Sequence, residues 1–138
     1  MKVAITSNGP GLNSQISPVF GRCPYFVFVD VEDGKVVKEE SAQNPVMMQS
    51  GGVGIAAAQF IANKGVKAVI SGAVGPKAFA ILQQLGIKIF LGVPGSVEEN
   101  IRLFTENKLR EAIPGPMGFG RGFGGGFGRG RRGWRWNL

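Results

Sequence analysis

Apolar and polar positions follow two different periods along the chain, and the change of period predicts the elements. The first part favours strands, because short β-branched and aromatic runs are bounded by Gly, Pro and Asn. Asp33-Gly34 predicts a tight hairpin, since these residue types accept the backbone angles of such turns. Long loops are expected at 8–24 and 42–52. The predicted strands of this part are 2–7, 25–31 and 35–41.

After residue 52 apolar residues recur at helical spacing, and helices alternate with short strands. Gly65 and Gly86 are typical helix stops, and Pro76 suits a first helical turn. Ser96-x-x-Glu99 has the form of a capping box. Strands joined through helices imply parallel neighbours, so we expect an α/β fold on a mixed sheet of about five strands with three helices. The predicted elements are helices 53–65, 76–86 and 96–107 and strands 67–71 and 87–92.

The composition changes abruptly at Pro114. The segment 114–138 contains ten of the 23 glycines, and its only aliphatic residues are Met117 and Leu138. Such a segment buries too little apolar surface to offset the backbone entropy lost on ordering. We therefore predict a folded domain over 1–113 and a flexible tail over 114–138.

The tail also carries most of the net positive charge. The chain has a net charge of +7, of which the tail supplies +5 because it contains five arginines and no acidic residue. Arginine interleaved with Gly, Phe and Trp is typical of segments that bind nucleic acid or another polyanion by charge and stacking. The candidate anion-binding arginines are Arg121, Arg129, Arg131, Arg132 and Arg135.

Composition also excludes several kinds of site. With one cysteine and no histidine, the chain has no internal disulfide, no conventional zinc site and no Cys–His or Ser–His–Asp catalytic set. No carboxylate set typical of a two-metal nuclease is evident, since the first strand has no acidic residue. We therefore predict that the protein is not an enzyme. Without an apolar stretch of membrane-spanning length or a signal peptide, a cytoplasmic location is the expectation.

Two glycine-rich turns, "SGGVG" and "SGAVG", each lead into a predicted helix. Free backbone N–H groups and the positive end of a helix dipole make such a turn a physical anion site. Neither turn matches a nucleotide-binding motif, so ordinary tight turns are the alternative interpretation. The candidate anion-binding residues here are Gly51, Gly52, Gly54, Ser71, Gly72 and Gly75.

Cys23 lies in the loop "VFGRCPYF", and two interpretations stay open. It is either a small buried thiol or a metal ligand. In the second case the adjacent Arg22 would favour the thiolate, and inorganic sulfide or another subunit's cysteine would complete the ligand shell. Met47 and Met48 are soft thioethers in the second loop, which we interpret as core filler.

Three segments carry a family resemblance. They are "FGRCPYFVFVDVEDGKV", "GGVGIAAAQFIANKGVKAVISGAVGPKAFAILQQLGIKIFLG" and "GSVEENIRLFTENKL". Together they resemble the dinitrogenase iron–molybdenum cofactor biosynthesis family, with its NifX-like and NifB C-terminal-like domains, over roughly residues 1–112. The resemblance implies a ribonuclease H-like fold without nuclease activity. It also implies binding, carriage or storage of an anionic iron–sulfur or molybdenum-containing cluster, with cluster donor and acceptor proteins as partners.

Some relatives use a histidine in this region to hold the cofactor, and Cys23 is the matching candidate in this histidine-free chain. The tail is similar in composition to that of archaeal iron–sulfur storage proteins, in which such a domain assembles with iron–sulfide anions. That similarity implies a homo-oligomer or a higher assembly. Two functions therefore follow as hypotheses: cluster binding through the domain and the tail, or nucleic-acid binding through the tail.

Overall fold

The computed structural model of the protein describes residues 1–112, so the tail at 114–138 lies outside the described residues. Six strands form one mixed sheet, and three helices pack on it. The strands are β1 (Lys2–Ser7), β2 (Tyr25–Glu32), β3 (Lys35–Gln43), β4 (Ala68–Ser71), β5 (Lys88–Leu91) and β6 (Arg110–Glu111). The helices are α1 (Val53–Asn63), α2 (Pro76–Gln84) and α3 (Val97–Thr105).

The sheet order is β3-β2-β1-β4-β5-β6. β1 is parallel to β4, and β4 is parallel to β5, whereas β2, β3 and β6 pair antiparallel with their neighbours. The predicted ribonuclease H-like α/β class, mixed sheet and three helices are confirmed. The sheet has one strand more than the five expected, because β6 is only two residues long and has no apolar pattern of its own.

The predicted hairpin joins β2 to β3. Asp33 and Gly34 have φ angles of 54° and 77°, which is the left-handed conformation that Asp-Gly turns supply. The register places Ser7 of β1 opposite Tyr25 of β2, and Tyr25 opposite Gln43 of β3. β3 therefore ends at the same edge of the sheet as β1, and the loop that follows it leads to α1 from that edge.

The two faces of the sheet carry different helices, because successive side chains of a strand point to opposite faces. Ala4 of β1 lies in a buried cluster with residues of α1 and α2, such as Ile61 and Leu82. Val3 and Ile5 lie in a second buried cluster with Val97 and Ile101 of α3. Thus α1 and α2 cover one face, and α3 covers the other.

The carboxyl ends of the parallel strands meet at one edge. Ser7, Ser71 and Leu91 end β1, β4 and β5 there, and the loops that follow them emerge together. In open α/β sheets, ligands bind at this edge. The two glycine-rich turns and the Cys23 loop all belong to it.

Candidate functional site

The loop that follows β1 lies directly on the "SGAVG" turn that follows β4. The amide of Phe20 donates to the carbonyl of Ala73 at 3.0 Å. A Cβ atom built on Gly72 would lie 2.7 Å from the carbonyl oxygen of Pro18, so only glycine fits this crossing without a backbone shift. The structure therefore joins two segments that lie about fifty residues apart in the sequence.

The same loop continues to the start of α1. Gly21 has a φ angle of +103°, and its ideal Cβ position is 3.4 Å from the amide nitrogen of Gly54. Gly54 in turn packs on α2, because its ideal Cβ position is 3.0 Å from the Cβ of Ala78. The first turns of α1 and α2 therefore lie side by side, with the Cys23 loop against them.

The first turns of α1 and α2 have no side-chain caps. Gly52 and Gly75 occupy the N-cap positions, and neither helix has a side-chain capping bond or an acidic residue in its first turn. Helix α3 differs, because the hydroxyl of Ser96 accepts a hydrogen bond from the amide of Glu99 at 3.0 Å. Its first turn also carries two acidic residues. The positive end of α3 is thus satisfied by its own chain, whereas those of α1 and α2 are open to an external anion.

Cys23 is fully buried within the cluster that lies under α1 and α2. Burial raises the pKa of its thiol to about 11, although contacts with the backbone of Gly21 and Ser7 and with the Asn44 side chain act in the opposite direction. At neutral pH the group is therefore a thiol. Of the two interpretations of Cys23, the structure favours the buried thiol in this conformation.

The expectation that Arg22 would favour a Cys23 thiolate is wrong for this conformation. Arg22 is exposed, and its Nη1 donates to the carbonyl of Met47 at 2.9 Å. The contacts that lower the pKa of Cys23 come from other groups, and desolvation outweighs them. The guanidinium instead lies on the outer side of the loop, where it can meet an anion in solvent.

Comparison with known proteins extends this geometry. The family described as "Dinitrogenase iron-molybdenum cofactor" matches residues 1–107. The chain belongs to this family. It is 40% identical over 111 residues to an uncharacterised protein of Methanocaldococcus jannaschii, MJ0580, and the match covers 80% of this chain and 91% of that protein.

Two solved structures share the fold of this dinitrogenase cofactor family member. The apo form of the orange protein from Desulfovibrio gigas has 35% sequence identity and a TM-score of 0.75, over 80% of this chain and 92% of that one. A NifB-like protein from Thermotoga has 36% identity and a TM-score of 0.68, over 80% of this chain and 91% of that one. The family resemblance predicted from the sequence is confirmed.

In this family member, the domain residues predicted as candidates lie at or near one edge of the sheet. Ser71 is buried and donates its hydroxyl to the carbonyl of Ala73 at 3.2 Å, so it shapes the turn. Gly51, Gly52 and Gly75 are exposed at the starts of the two helices. The tail arginines lie outside the described residues.

Met47 and Met48 differ from the expectation of core filler. Met47 is half-buried, but the side chain of Met48 is 86% exposed, so it is not part of the core of this family member. Among residues 1–112, no three His, Cys, Asp or Glu side chains come together as a metal-binding group. Within the same residues, no helix has the length and apolar character needed to cross a membrane.

Sequence reasoning missed Asn44. This residue is only 4% exposed, and its side chain donates to the carbonyls of Gly21 and Cys23 at 2.8 and 2.9 Å. The available signal was an asparagine in the predicted loop 42–52, directly before Pro45, which is also typical of an ordinary turn. Only the fold reveals that its partners lie in the other long loop.

Proposed function

We propose that this protein binds and carries an anionic iron–sulfur or molybdenum-containing cluster and that it catalyses no reaction. The observation that carries the proposal is the pair of adjacent, uncapped helix starts at the carboxyl edge of the sheet. Membership of a family named for the iron–molybdenum cofactor supports a metal-containing cargo. The orange protein was solved in an apo form, which is the term for a protein without its ligand.

The proposed site binds the cluster through the cluster's negative charge. The first amides of α1, at Val53, Gly54 and Ile55, donate to no protein acceptor among the described residues, and α2 adds the amides of Lys77 and Ala78. Amides at a helix start point outward and favour anions. A metal–sulfur cluster with negatively charged sulfur atoms matches this arrangement of donors.

The loops around these helix starts contain no acidic residue. This holds for 8–24, for 44–52 and for 72–75, whereas Arg22 contributes a positive charge at the rim. An anion that approaches the starts of α1 and α2 therefore meets backbone donors and a guanidinium, and none of these three segments carries a carboxylate. The side chain of Arg22 reaches a backbone carbonyl rather than an acid, so its charge is not neutralised there.

In this proposal, backbone donors and Arg22 bind the cluster before any cysteine does. In the described conformation the Cys23 side chain is fully buried and protonated. It becomes a metal ligand only if the loop opens and the thiol loses its proton. One cysteine per chain then requires that inorganic sulfide or the cysteine of a second copy complete the coordination.

The five tail arginines supply further counter-charge in the proposal. With +5 on 25 residues, the tail suits a polymeric or highly charged iron–sulfide anion and a storage assembly. A carrier also needs a protein that delivers the cluster and one that receives it. Cluster donor and acceptor proteins are therefore the proposed partners.

The first experiment is anaerobic purification from iron-replete cells, followed by iron and acid-labile sulfide analysis and a visible spectrum. We expect iron and sulfide in comparable amounts and a coloured protein. A colourless, iron-free protein that also fails to take up iron and sulfide, and fails to bind tetrathiomolybdate, would contradict the proposal.

A matched pair of variants then tests the site. Arg22→Gln should weaken binding of tetrathiomolybdate about tenfold, because a charge-assisted contact is lost. Arg102→Gln removes the same charge from α3, on the opposite face of the sheet, and should leave binding unchanged. Equal losses in the two variants would indicate a general charge effect and not a site.

Nucleic-acid binding through the tail is the second candidate, and the interleaved arginines and aromatic residues favour it. It predicts weak binding of single strands that falls steeply with salt and requires residues 114–138. If the full chain and a chain ending at residue 113 bind single strands equally poorly at low salt, this candidate fails.

A further inference from the structure

Asn44 connects the two long loops of the candidate site. Its side-chain Nδ2 donates to the carbonyls of Gly21 and Cys23, at 2.8 and 2.9 Å, and lies 3.8 Å from the Cys23 Sγ. Its Oδ1 accepts the amide of Val46 at 3.1 Å, and its backbone amide donates to the carbonyl of Pro24 at 2.9 Å. Every polar atom of the side chain is therefore engaged, in a position that is 4% exposed.

The chemistry of these contacts requires a short carboxamide. Two carbonyls in the first loop need two donors, and one amide in the second loop needs an acceptor. Aspartate has no donor when ionised, and serine has one. An aliphatic side chain of similar size would leave two buried carbonyls and one partly buried amide without these partners.

The carbonyls that Asn44 binds lie on either side of Arg22. Gly21 also packs on the start of α1, with its ideal Cβ position 3.4 Å from the amide nitrogen of Gly54. The segment that begins at Asn44 leads through Met47, whose carbonyl accepts from Arg22, to the first turn of α1. One side chain thus fixes the guanidinium and the helix start relative to each other.

We propose that Asn44 is the positioning residue of the candidate site. Its carboxamide joins the turn 21–23 to the segment that opens α1, so that Arg22 and the free amides of α1 face one anion while the Cys23 thiol stays closed. The part of this inference that concerns anion binding rests on the proposed function. The part that concerns the burial of the Cys23 thiol does not rest on the proposed function.

Asn100 provides a matched control. It is also buried and also makes three side-chain hydrogen bonds, to the backbone of Val93 and Ser96 at 2.8 to 3.0 Å. These contacts lie at the start of α3 and not in the two site loops. Asn100→Ala should therefore lower stability without opening the Cys23 loop.

The experiment compares the full-length wild type, Asn44→Ala, Asn44→Asp and Asn100→Ala. The rate at which N-ethylmaleimide modifies Cys23 in the native protein measures loop opening, and urea unfolding measures global stability. Titration with tetrathiomolybdate at high salt, where the charges of the tail are screened, measures binding at the domain. Asn44→Asp keeps the size of the side chain and serves if the alanine variant does not fold.

We expect both Asn44 variants to raise the modification rate about tenfold or more beyond what their loss of global stability explains, because the buried hydrogen bonds to the loop are lost. Binding of tetrathiomolybdate should weaken about tenfold in the same variants. Asn100→Ala should show a modification rate that its global stability alone accounts for, and unchanged binding.

Three results would overturn parts of this inference. Equal modification rates in Asn44 and Asn100 variants of equal stability would refute the inference that Asn44 keeps the Cys23 thiol buried. An Asn44 variant that opens the loop but binds like the wild type would refute the positioning role. If the wild type itself does not bind tetrathiomolybdate, the proposed function fails and the positioning role fails with it, whereas the modification rates still decide whether Asn44 closes the loop.

Discussion

Gly75→Asp is expected to stabilise the protein and to weaken anion binding at the same time. Gly75 is the N-cap of α2, with φ −67° and ψ 163°, an extended conformation that aspartate adopts readily. No heavy atom lies within 4 Å of its ideal Cβ position, so the side chain fits without strain. The introduced carboxylate would accept hydrogen bonds from the free amides of the first helical turn, which an external anion would otherwise use.

The substitution should raise the free energy of unfolding and lower the affinity for the anion. A capping carboxylate in place of glycine should add about 0.5 to 1 kcal/mol to the free energy of unfolding. Its repulsion of an anion centred about 6 Å away is about 0.7 kcal/mol per unit of anion charge in water and about 3 kcal/mol at a surface dielectric near 20. Binding should therefore weaken by about threefold to a hundredfold per unit charge.

Gly75→Asn separates charge from shape. Asparagine is a comparable N-cap of the same size, but it brings no charge. The assay is calorimetric titration with tetrathiomolybdate at low salt, where the repulsion is not screened, together with urea unfolding of each variant. We expect Gly75→Asn to bind within about threefold of the wild type while Gly75→Asp loses far more. If Gly75→Asp binds as tightly as the wild type, the anion does not bind at the start of α2. Equal losses in both variants would show that occupation of the amides, and not the added charge, weakens binding.

Three further predictions concern stability, pH and the tail. Because burial raises the pKa of Cys23 to about 11, the folded state resists ionisation. The contribution of this thiol to the free energy of unfolding should be fully present below about pH 8. It should fall by about 2 to 3 kcal/mol as the pH rises from 9 to 11. Cys23→Ala should not show this decline in urea unfolding. Gly72→Ala should lower the free energy of unfolding by about 1 to 3 kcal/mol, because its Cβ would meet the carbonyl of Pro18. Gly51 has open space around it, so Gly51→Ala should change the free energy of unfolding by no more than about 0.5 kcal/mol in the same assay. Removal of residues 114–138 should reduce the salt dependence of tetrathiomolybdate binding while affinity at high salt is kept, and an unchanged salt dependence would exclude a role for the tail charge.

The elements of this fold were predictable from local patterns. Helices α1, α2 and α3 begin and end within two residues of the predictions, because Pro76, Ser96 and the glycines that follow the helices are local signals. The Asp33-Gly34 hairpin was predictable for the same reason. The strand β6 was not, since two residues without an apolar pattern pair only because β5 offers them a free edge.

The candidate site was predictable only in part. The glycine-rich turns and the loop thiol were visible as residue types. The state of Cys23 was not visible, because a thiol in a Gly/Pro-rich loop becomes buried only when α1 and α2 pack over it. Desolvation by that packing then decides its pKa, against the effect expected from the neighbouring Arg22.

The sequence by itself therefore determined the secondary structure apart from β6, the family, the charge of the tail and the residue types that can meet an anion. The tertiary structure decided which of them act together. The order of the sheet brings Pro18 onto Gly72 and Gly21 onto Gly54, and it leaves two helix starts uncapped side by side. These are contacts between residues far apart in the chain, and their free energy depends on burial and on partners that no local pattern records.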